Sequence, residues 1–178
     1  MIIIDLETTG LSAPSLATPA QQPYIIEFAA RKLGEDGSLI HNLGFFVKPP
    51  VPITPEITKI TGITQAMVDG AKSFAAHLPA IQEFFLGERL LIAHNLAFDR
   101  GVLAEELKRL DALLKFPWPP EHFCTVENTQ DLGLKDRKLV TLYQHYIGKP
   151  LAQTHRAADD VSALTEIVVK MINEGRIG

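Results

Sequence analysis

Asp5 and Glu7 stand two residues apart, directly after the β-branched run Ile2-Ile3-Ile4. Side chains two apart on a strand leave from the same face, so these carboxylates project together. The C-terminal edge of a buried strand is also where open α/β sheets build their sites. Taken alone, such a pair begins a solvated loop about as often as a site. Asp99 is placed more pointedly: it precedes Val102 and Leu103 by three and four residues, beside the apolar stripe of a helix. An acid in a first helical turn is also favoured by the helix dipole, and Asn95 can cap that turn without catalytic meaning. Asp160 falls three residues after Ala157 and four before Leu164, on the inner side of the last helix, where an unpaired carboxylate costs several kcal/mol and calls for a cation. Asp159, about 100° away around the helix, turns to water. His155 precedes that helix, with Thr154 expected as its N-cap. On an ideal helix it points about 140° from Asp160, whereas on the leading loop it can swing over the helix end. By itself His155 reads as a surface or capping histidine. Four carboxylates without a cysteine cluster make an oxygen-rich set suited to Mg²⁺ or Mn²⁺ rather than zinc. Two such ions about 3.5–4 Å apart can clamp the attacking and leaving oxygens of a phosphodiester.

The elements that must position these residues are legible in the patterning. Ile2-Ile3-Ile4 predicts a strand buried on both faces and central in its sheet, ending at Thr8-Thr9-Gly10. Residues 11–22, small and polar with two prolines, predict an exposed loop. Tyr24 to Leu33 and Leu39 to Val47 predict two strands joined by a hairpin-type turn at Gly34-Glu35-Asp36-Gly37. Lys48-Pro49-Pro50-Val51-Pro52 must be extended. Short helical pieces follow from Thr54, with Pro55 at an N1 position and a break at Thr61-Gly62-Ile63-Thr64. Phe74 to Leu86 predicts an amphipathic helix and Leu90 to Ala93 a buried strand. Ala97 to Leu114 predicts a long helix with Phe98, Val102, Leu103, Leu107, Leu110 and Leu114 along one stripe. A short strand near His122 to Cys124, a helix over Leu139 to Ile147 and a last helix from about Arg156 to Asn173 complete the chain. Strands first, then alternating helix and strand, give an α/β class: a mixed sheet flanked by helices, in one domain over 1–178.

Composition bounds the function. Apolar residues at 46% and charged residues at 21% describe an ordinary globular chain. One cysteine, Cys124, allows no internal disulfide and points to a reducing, cytoplasmic setting. No basic leader and no run of about 20 apolar residues is present, so a signal peptide or membrane span is not expected. The net charge of −4 speaks against a protein that coats nucleic acid. It is compatible with one that holds only a strand end, because the four candidate metal ligands account for the whole acidic excess.

Asp5-Leu6-Glu7-Thr8-Thr9-Gly10, His94-Asn95-Leu96-Ala97-Phe98-Asp99 and His155-Arg156-Ala157-Ala158-Asp159-Asp160 together resemble the three motifs of the DEDDh exonucleases. The likeness covers nearly the whole chain, including Ile25-Ile26-Glu27-Phe28-Ala29-Ala30 and Ile60-Thr61-Gly62-Ile63-Thr64. Three spaced motifs in order are highly specific, although each alone is weak. The resemblance implies a ribonuclease H-like fold with a mixed five-stranded sheet. It implies a 3′→5′ exonuclease releasing nucleoside 5′-monophosphates through two divalent cations, Mg²⁺ or Mn²⁺. Asp5, Glu7, Asp99 and Asp160 would be the metal ligands, and His155, catalytic with them, would take a proton from the attacking water. It further implies that Leu6, Thr8 and Thr9 meet the terminal nucleotide through their backbone, that Ile63 wedges against its base and that Phe98 packs beside it. Thr61 stands where relatives often carry histidine. Glu27, in an otherwise apolar strand, either supports the site or faces solvent. His94 and Asn95 read as supports of the helix start.

Within the family the sequence is most similar to epsilon-type proofreading exonucleases, which implies a DNA 3′ end as substrate and a DNA polymerase as partner. An RNA 3′-trimming enzyme is the alternative. A non-catalytic polymerase-associated module is disfavoured, because all five motif residues are intact.

Overall fold

The computed structural model describes residues 1–12, 18–152 and 155–178. Five strands form one mixed sheet: β1 (Ile2–Thr8), β2 (Ile25–Leu33), β3 (Leu39–Phe46), β4 (Leu90–Ala93) and β5 (Glu121–Cys124), ordered β3-β2-β1-β4-β5. β1, β2 and β3 form an antiparallel meander, whereas β4 and β5 run parallel to β1. The isoleucine run therefore lies centrally, with helices on both faces as parallel strands require.

Alternation along β1 divides the core. Ile2, Ile4 and Leu6 join a cluster with residues of α3 (Phe74–Phe85) and α4 (Leu96–Arg109). Ile3 joins the opposite cluster with α5 (Leu139–Ile147) and α6 (Ala157–Asn173). Asp5 and Glu7 share the parity of Ile3, so they leave the sheet toward α6. A small third cluster sets Ile26 against Ile63 and Val68, beneath α1 (Pro55–Thr61) and α2 (Gln65–Asp69).

Most expected elements stand within a residue or two of their predicted ends. Thr54 caps α1 by accepting from Ile57 N–H at 3.3 Å, and Pro55 occupies the first helical position. Gly62 ends α1 in the left-handed region at φ 71°. The expected helix to Leu114 is a correction. α4 stops at Arg109, Asp111 takes φ 52°, and a short 3-10 turn follows at Leu113–Lys115. Leu110 is 38% exposed and Leu114 98% exposed, so their helical spacing carried no core meaning. Phe116 and Trp118, beyond the break, pack edge-on and fill the space near Phe85 instead.

The loop after β1 is described from Thr18 onward. Arg109, in the last turn of α4, donates from Nη2 to the Pro19 and Gln22 carbonyls at 2.6 and 2.7 Å. Its guanidinium stacks on Tyr24, 3.8 Å from the ring centroid. That clamp returns the chain to β2. Among the described residues, no helix is long and apolar enough to cross a membrane.

Candidate active site

β1 delivers Asp5 and Glu7 to the α6 side of the sheet edge. β2 runs antiparallel beside it, with Glu27 directly opposite Glu7. The register then slips by one residue, so Thr8 faces Ile25 and the extra residue, Ile26, turns to the third cluster. From the helix layer, Asp160 projects inward in the first turn of α6, 6% exposed. One carboxylate oxygen from each of Asp5, Glu7 and Asp160 lies within 4.8 Å of the others. The three motif acids from one strand and one helix thus share one spot.

Asp99 reaches the same edge from the other face. α4 begins directly after β4, and its first turn holds Asp99 at 3% exposure. Its Oδ1 accepts from Leu6 N–H at 3.1 Å, which ties it to the backbone between Asp5 and Glu7. It stands outside the group of three but close enough for the charges of Asp5 and Glu7 to raise its pKa. Asn95 occupies the N-cap position in the left-handed region at φ 69°, with no side-chain cap bond. The support comes instead from His94, whose Nδ1 lies 2.9 Å from Thr125 Oγ1 and whose burial lowers its pKa to about 4.

The electrostatics are those of a site built for cations. Burial pushes Glu7 up to about 9, and the charges of Asp5, Asp160 and Glu27 push the same way, while Arg156 pulls it down. Asp5 is raised well above the ordinary carboxylate range, first by burial, then by Asp160 and Glu27. Asp99 is raised chiefly by burial, then by Asp5. Carboxylates brought together under such mutual repulsion, with oxygen donors alone, fit a hard divalent cation.

Glu27 resolves the oddity of an acid in an apolar strand. It is 5% exposed and receives a fork from Arg156: Nε donates to Oε2 at 3.0 Å and Nη2 to Oε1 at 2.8 Å. Oε2 also accepts from Ala157 N–H at 3.0 Å, so Glu27 caps the first turn of α6 from across the sheet. Arg156 rests over Phe46, 4.9 Å from the centroid. Thr154, expected as the N-cap, lies outside the described residues, and Arg156 holds the N-cap position. The signal for Glu27 was its type in an apolar run; its partner, 129 residues away, was not visible in the spacing.

His155 is exposed and left-handed at φ 51°, on the turn immediately before Arg156 and α6. Leu6 is buried, and its N–H is occupied by Asp99. Thr8 Oγ1 donates to the Gly10 carbonyl at 2.6 Å, and Thr9 Oγ1 accepts from Tyr24 N–H at 2.9 Å, so both hydroxyls shape the turn. Ile63 is fully buried against Ile26 and Val68 and presents no side-chain surface to a base, contrary to the expected wedge. Phe98 is half-buried against the α3/α4 cluster.

A mixed sheet with its acids at the C-terminal edge of the central strand, faced by an acid from the last helix, defines a carboxylate site on a ribonuclease H-like fold. The exonuclease domain family matches residues 2–168, and the chain belongs to that family. It is 36% identical over 173 residues to a PolC-type DNA polymerase III of Clostridium perfringens, an alignment covering 94% of this chain and 11% of that protein. It is 33% identical over 183 residues to a bifunctional exonuclease/endonuclease protein of Mycobacterium tuberculosis, covering 99% and 27%. The chain therefore spans only about a tenth to a quarter of the length of these relatives. Among solved structures, Exonuclease X in complex with 5′ overhanging duplex DNA superposes with a TM-score of 0.70 at 26% identity, covering 98% of this chain and 92% of that one. The fold is that of the DEDDh 3′-exonucleases. Within this exonuclease family, Asp5, Glu7 and Asp160 are a carboxylate group that could hold a metal ion.

Proposed function

We propose that this chain is a 3′→5′ exonuclease acting on single-stranded or frayed DNA ends, with Asp5, Glu7, Asp99, Asp160 and His155 as its catalytic residues. The observation that carries the reading is the meeting of Asp5, Glu7 and Asp160 within 4.8 Å, faced by Asp99 from the opposite layer. Asp5, Glu7, Asp99 and Asp160 would hold the two divalent ions, Mg²⁺ or Mn²⁺. Two ions bound there supply neutralisation of the phosphate and a water activated for attack. His155 takes the proton of that water at an imidazole nitrogen, from a turn that leaves its ring in solvent. Buried Asp99 fixes the backbone of β1 at Leu6, holding Asp5 and Glu7 in register. Thr8, Thr9 and Phe98 line the approach, and the backbone at Leu6 borders it.

DNA is favoured because the curated relatives include DNA polymerases and the solved relative at 26% identity was captured on DNA. By the same likeness to polymerases we propose that the domain edits ends for a polymerase, in the same chain or as a partner. Residues 1–178 form one exonuclease domain in this reading, and the free, buried Cys124 fits the cytoplasm. The test is degradation of a 5′-labelled single-stranded DNA oligonucleotide, and its RNA counterpart, with Mg²⁺, Mn²⁺ or chelator. A ladder shortening from the 3′ end, faster on DNA and abolished by chelator and by Asp160→Ala, is expected. Faster loss of RNA overturns the substrate assignment, and intact DNA and RNA overturn the enzyme.

A further inference from the structure

Charge is distributed unevenly along this chain. Between Leu132 and Ala158 five lysines and arginines stand against one acid, Asp136, leaving 12 bases against 20 acids elsewhere. Asp136 is itself engaged: its Oδ1 accepts from Thr141 Oγ1 at 2.5 Å and from Lys138 N–H at 3.2 Å, capping the start of α5. Lys135, Arg137, Lys138 and Lys149 are exposed, and none takes part in a salt bridge among the described residues. Elsewhere five of the twelve cations stand in salt bridges, among them Arg89–Glu121, Lys32–Glu88 and Arg176–Asp131, and the others are scattered along the chain. What sets the arm ahead of α5 apart is concentration: three cations in no salt bridge among the described residues fall within a span of four, on a chain of net charge −4.

The packing of α5 on α6 fixes where that arm lies. Tyr146 feels the charges of Arg176, Glu174 and Asp131, beyond or beside the C-terminal end of α6. One turn earlier, Tyr143 Oη donates to Glu166, near the middle of α6. Stepping back from Tyr143 to Lys138 covers about 7.5 Å, and from Glu166 to Asp160 about 9 Å. Leu139 and Leu142 pack in one cluster with Ala157 and Val161, in the first turns of α6. Lys138 and Arg137 therefore lie toward the end of α6 that carries Asp160, and Lys135 sits on the flank of α5 beside Thr141, Gln144 and His145.

We propose that Lys135, Arg137 and Lys138 form the track for the phosphates upstream of the strand end, so that the arm, not the acidic site, draws in the polyanion. This rests on the nuclease reading above. A polyanion approaching a chain of net charge −4 gains only where positive charge is concentrated and unpaired. The arm stands apart from the carboxylates and meets phosphates upstream of the strand end, so its benefit rises with strand length.

The experiment compares wild type with Lys135→Gln/Arg137→Gln/Lys138→Gln on a series from dinucleotide to 12-mer single-stranded DNA, at several salt concentrations. Binding of the same oligonucleotides is read in parallel by fluorescence anisotropy, which judges the arm even where cleavage fails. Lys72→Gln/Lys115→Gln/Lys170→Gln, three exposed lysines elsewhere, matches the change in net charge. The expected result is a defect in KM and Kd that grows with length, reaching about tenfold on the 12-mer. The logarithmic salt slope should shallow by roughly 2, from about 0.7 per lost phosphate contact. The matched variant should show neither effect. Equal length profiles for wild type and the arm variant, or an equal loss in the matched variant, overturn the track. Failure of wild type to cleave any length overturns the nuclease reading instead.

Discussion

The two faces of β1 are built from the same seven residues to opposite ends. On the α3/α4 side, Ile2, Ile4 and Leu6 disappear into an apolar cluster with Leu103 and Phe85. On the α6 side, Ile3 begins in the same manner, but Asp5 and Glu7 end the face with carboxylates whose pKa values are driven upward. One face stores stability and the other spends it on a concentration of like charge that is relieved by protons or by a bound cation. A change on the first face should therefore alter folding and spare chemistry, while a change on the second should do the reverse.

The largest effect expected is on the charged face. Asp160→Asn keeps shape but removes one ligand charge, and turnover should fall on the order of 10³-fold, about 4 kcal/mol of transition-state stabilisation. Metal-free protein at pH 8 should melt higher than wild type, because repulsion from Asp5 and Glu7 is reduced. Calorimetry with single-turnover kinetics reads both, and a lower metal-free Tm contradicts the idea of a strained acidic face. The mirror experiment is Leu103→Ala on the apolar face. It should cost about 3 kcal/mol in urea unfolding by opening a cavity beside β1. Turnover at a temperature where the variant is folded should stay within about twofold of wild type, and a larger fall would mean that the two faces are not separable.

Between these extremes stands Glu27, which belongs to the charged face but works through structure. Glu27→Gln keeps an acceptor for Ala157 N–H and loses the ion pair with Arg156. A stability loss of about 2 kcal/mol is expected, within the range for hydrogen bonds to charged groups, and moderated because Arg156 is partly open to water. The first turn of α6 should loosen. Half-saturation with Mn²⁺, followed by calorimetry, should then move to higher concentration while KM for DNA holds. Restored metal affinity in Glu27→Asp, which keeps the charge, would separate anchoring from mere presence of a polar group.

The sequence carried the strands well because burial on both faces leaves an unmixed signature, and β4 and α5 fall where the apolar runs begin and end. It pointed to the four acids by their places at the end of an apolar strand and beside apolar helix stripes, and the fold brings Asp5, Glu7 and Asp160 within 4.8 Å of one another. It misplaced the end of α4, since Leu110 and Leu114 continue a helical spacing that Asp111, at φ 52°, interrupts for reasons of backbone and not of periodicity. It also left open the function of Glu27 and the burial of Ile63, both decided by residues distant in the chain: Arg156 for the first, Ile26 for the second. Local pattern reveals what an element buries; it does not reveal what a polar group will meet across a sheet.

The comparison can be sharpened by pH alone. Glu7 ionises in the unfolded chain near its ordinary value of 4.5 but in the folded, metal-free protein only near about 9. Below the first value the carboxyl is neutral in both states and folding pays no electrostatic penalty. Between the two, the unfolded chain has released a proton that the folded chain retains, so stability must fall as pH rises. Asp5 and Asp99 are raised in the same direction and add to the slope. Glu88, lowered by the N-terminal amine and Lys32, acts oppositely, but its contribution is lost only as pH falls below the usual carboxylate range. His94, lowered by burial to about 4, adds stability as pH rises toward its ordinary value of 6.5, so the window from pH 7 to 9 isolates the charged face. Metal-free Tm should decline across it by a few degrees, and saturating Mg²⁺ should flatten the decline, because cation binding requires the ionised carboxylates and gains on protons as pH rises. Glu7→Gln should remove part of the slope without metal. A metal-free Tm that stays level from pH 7 to 9 would show the acids ionised and hydrated, and the two faces of β1 would then differ in composition but not in energy.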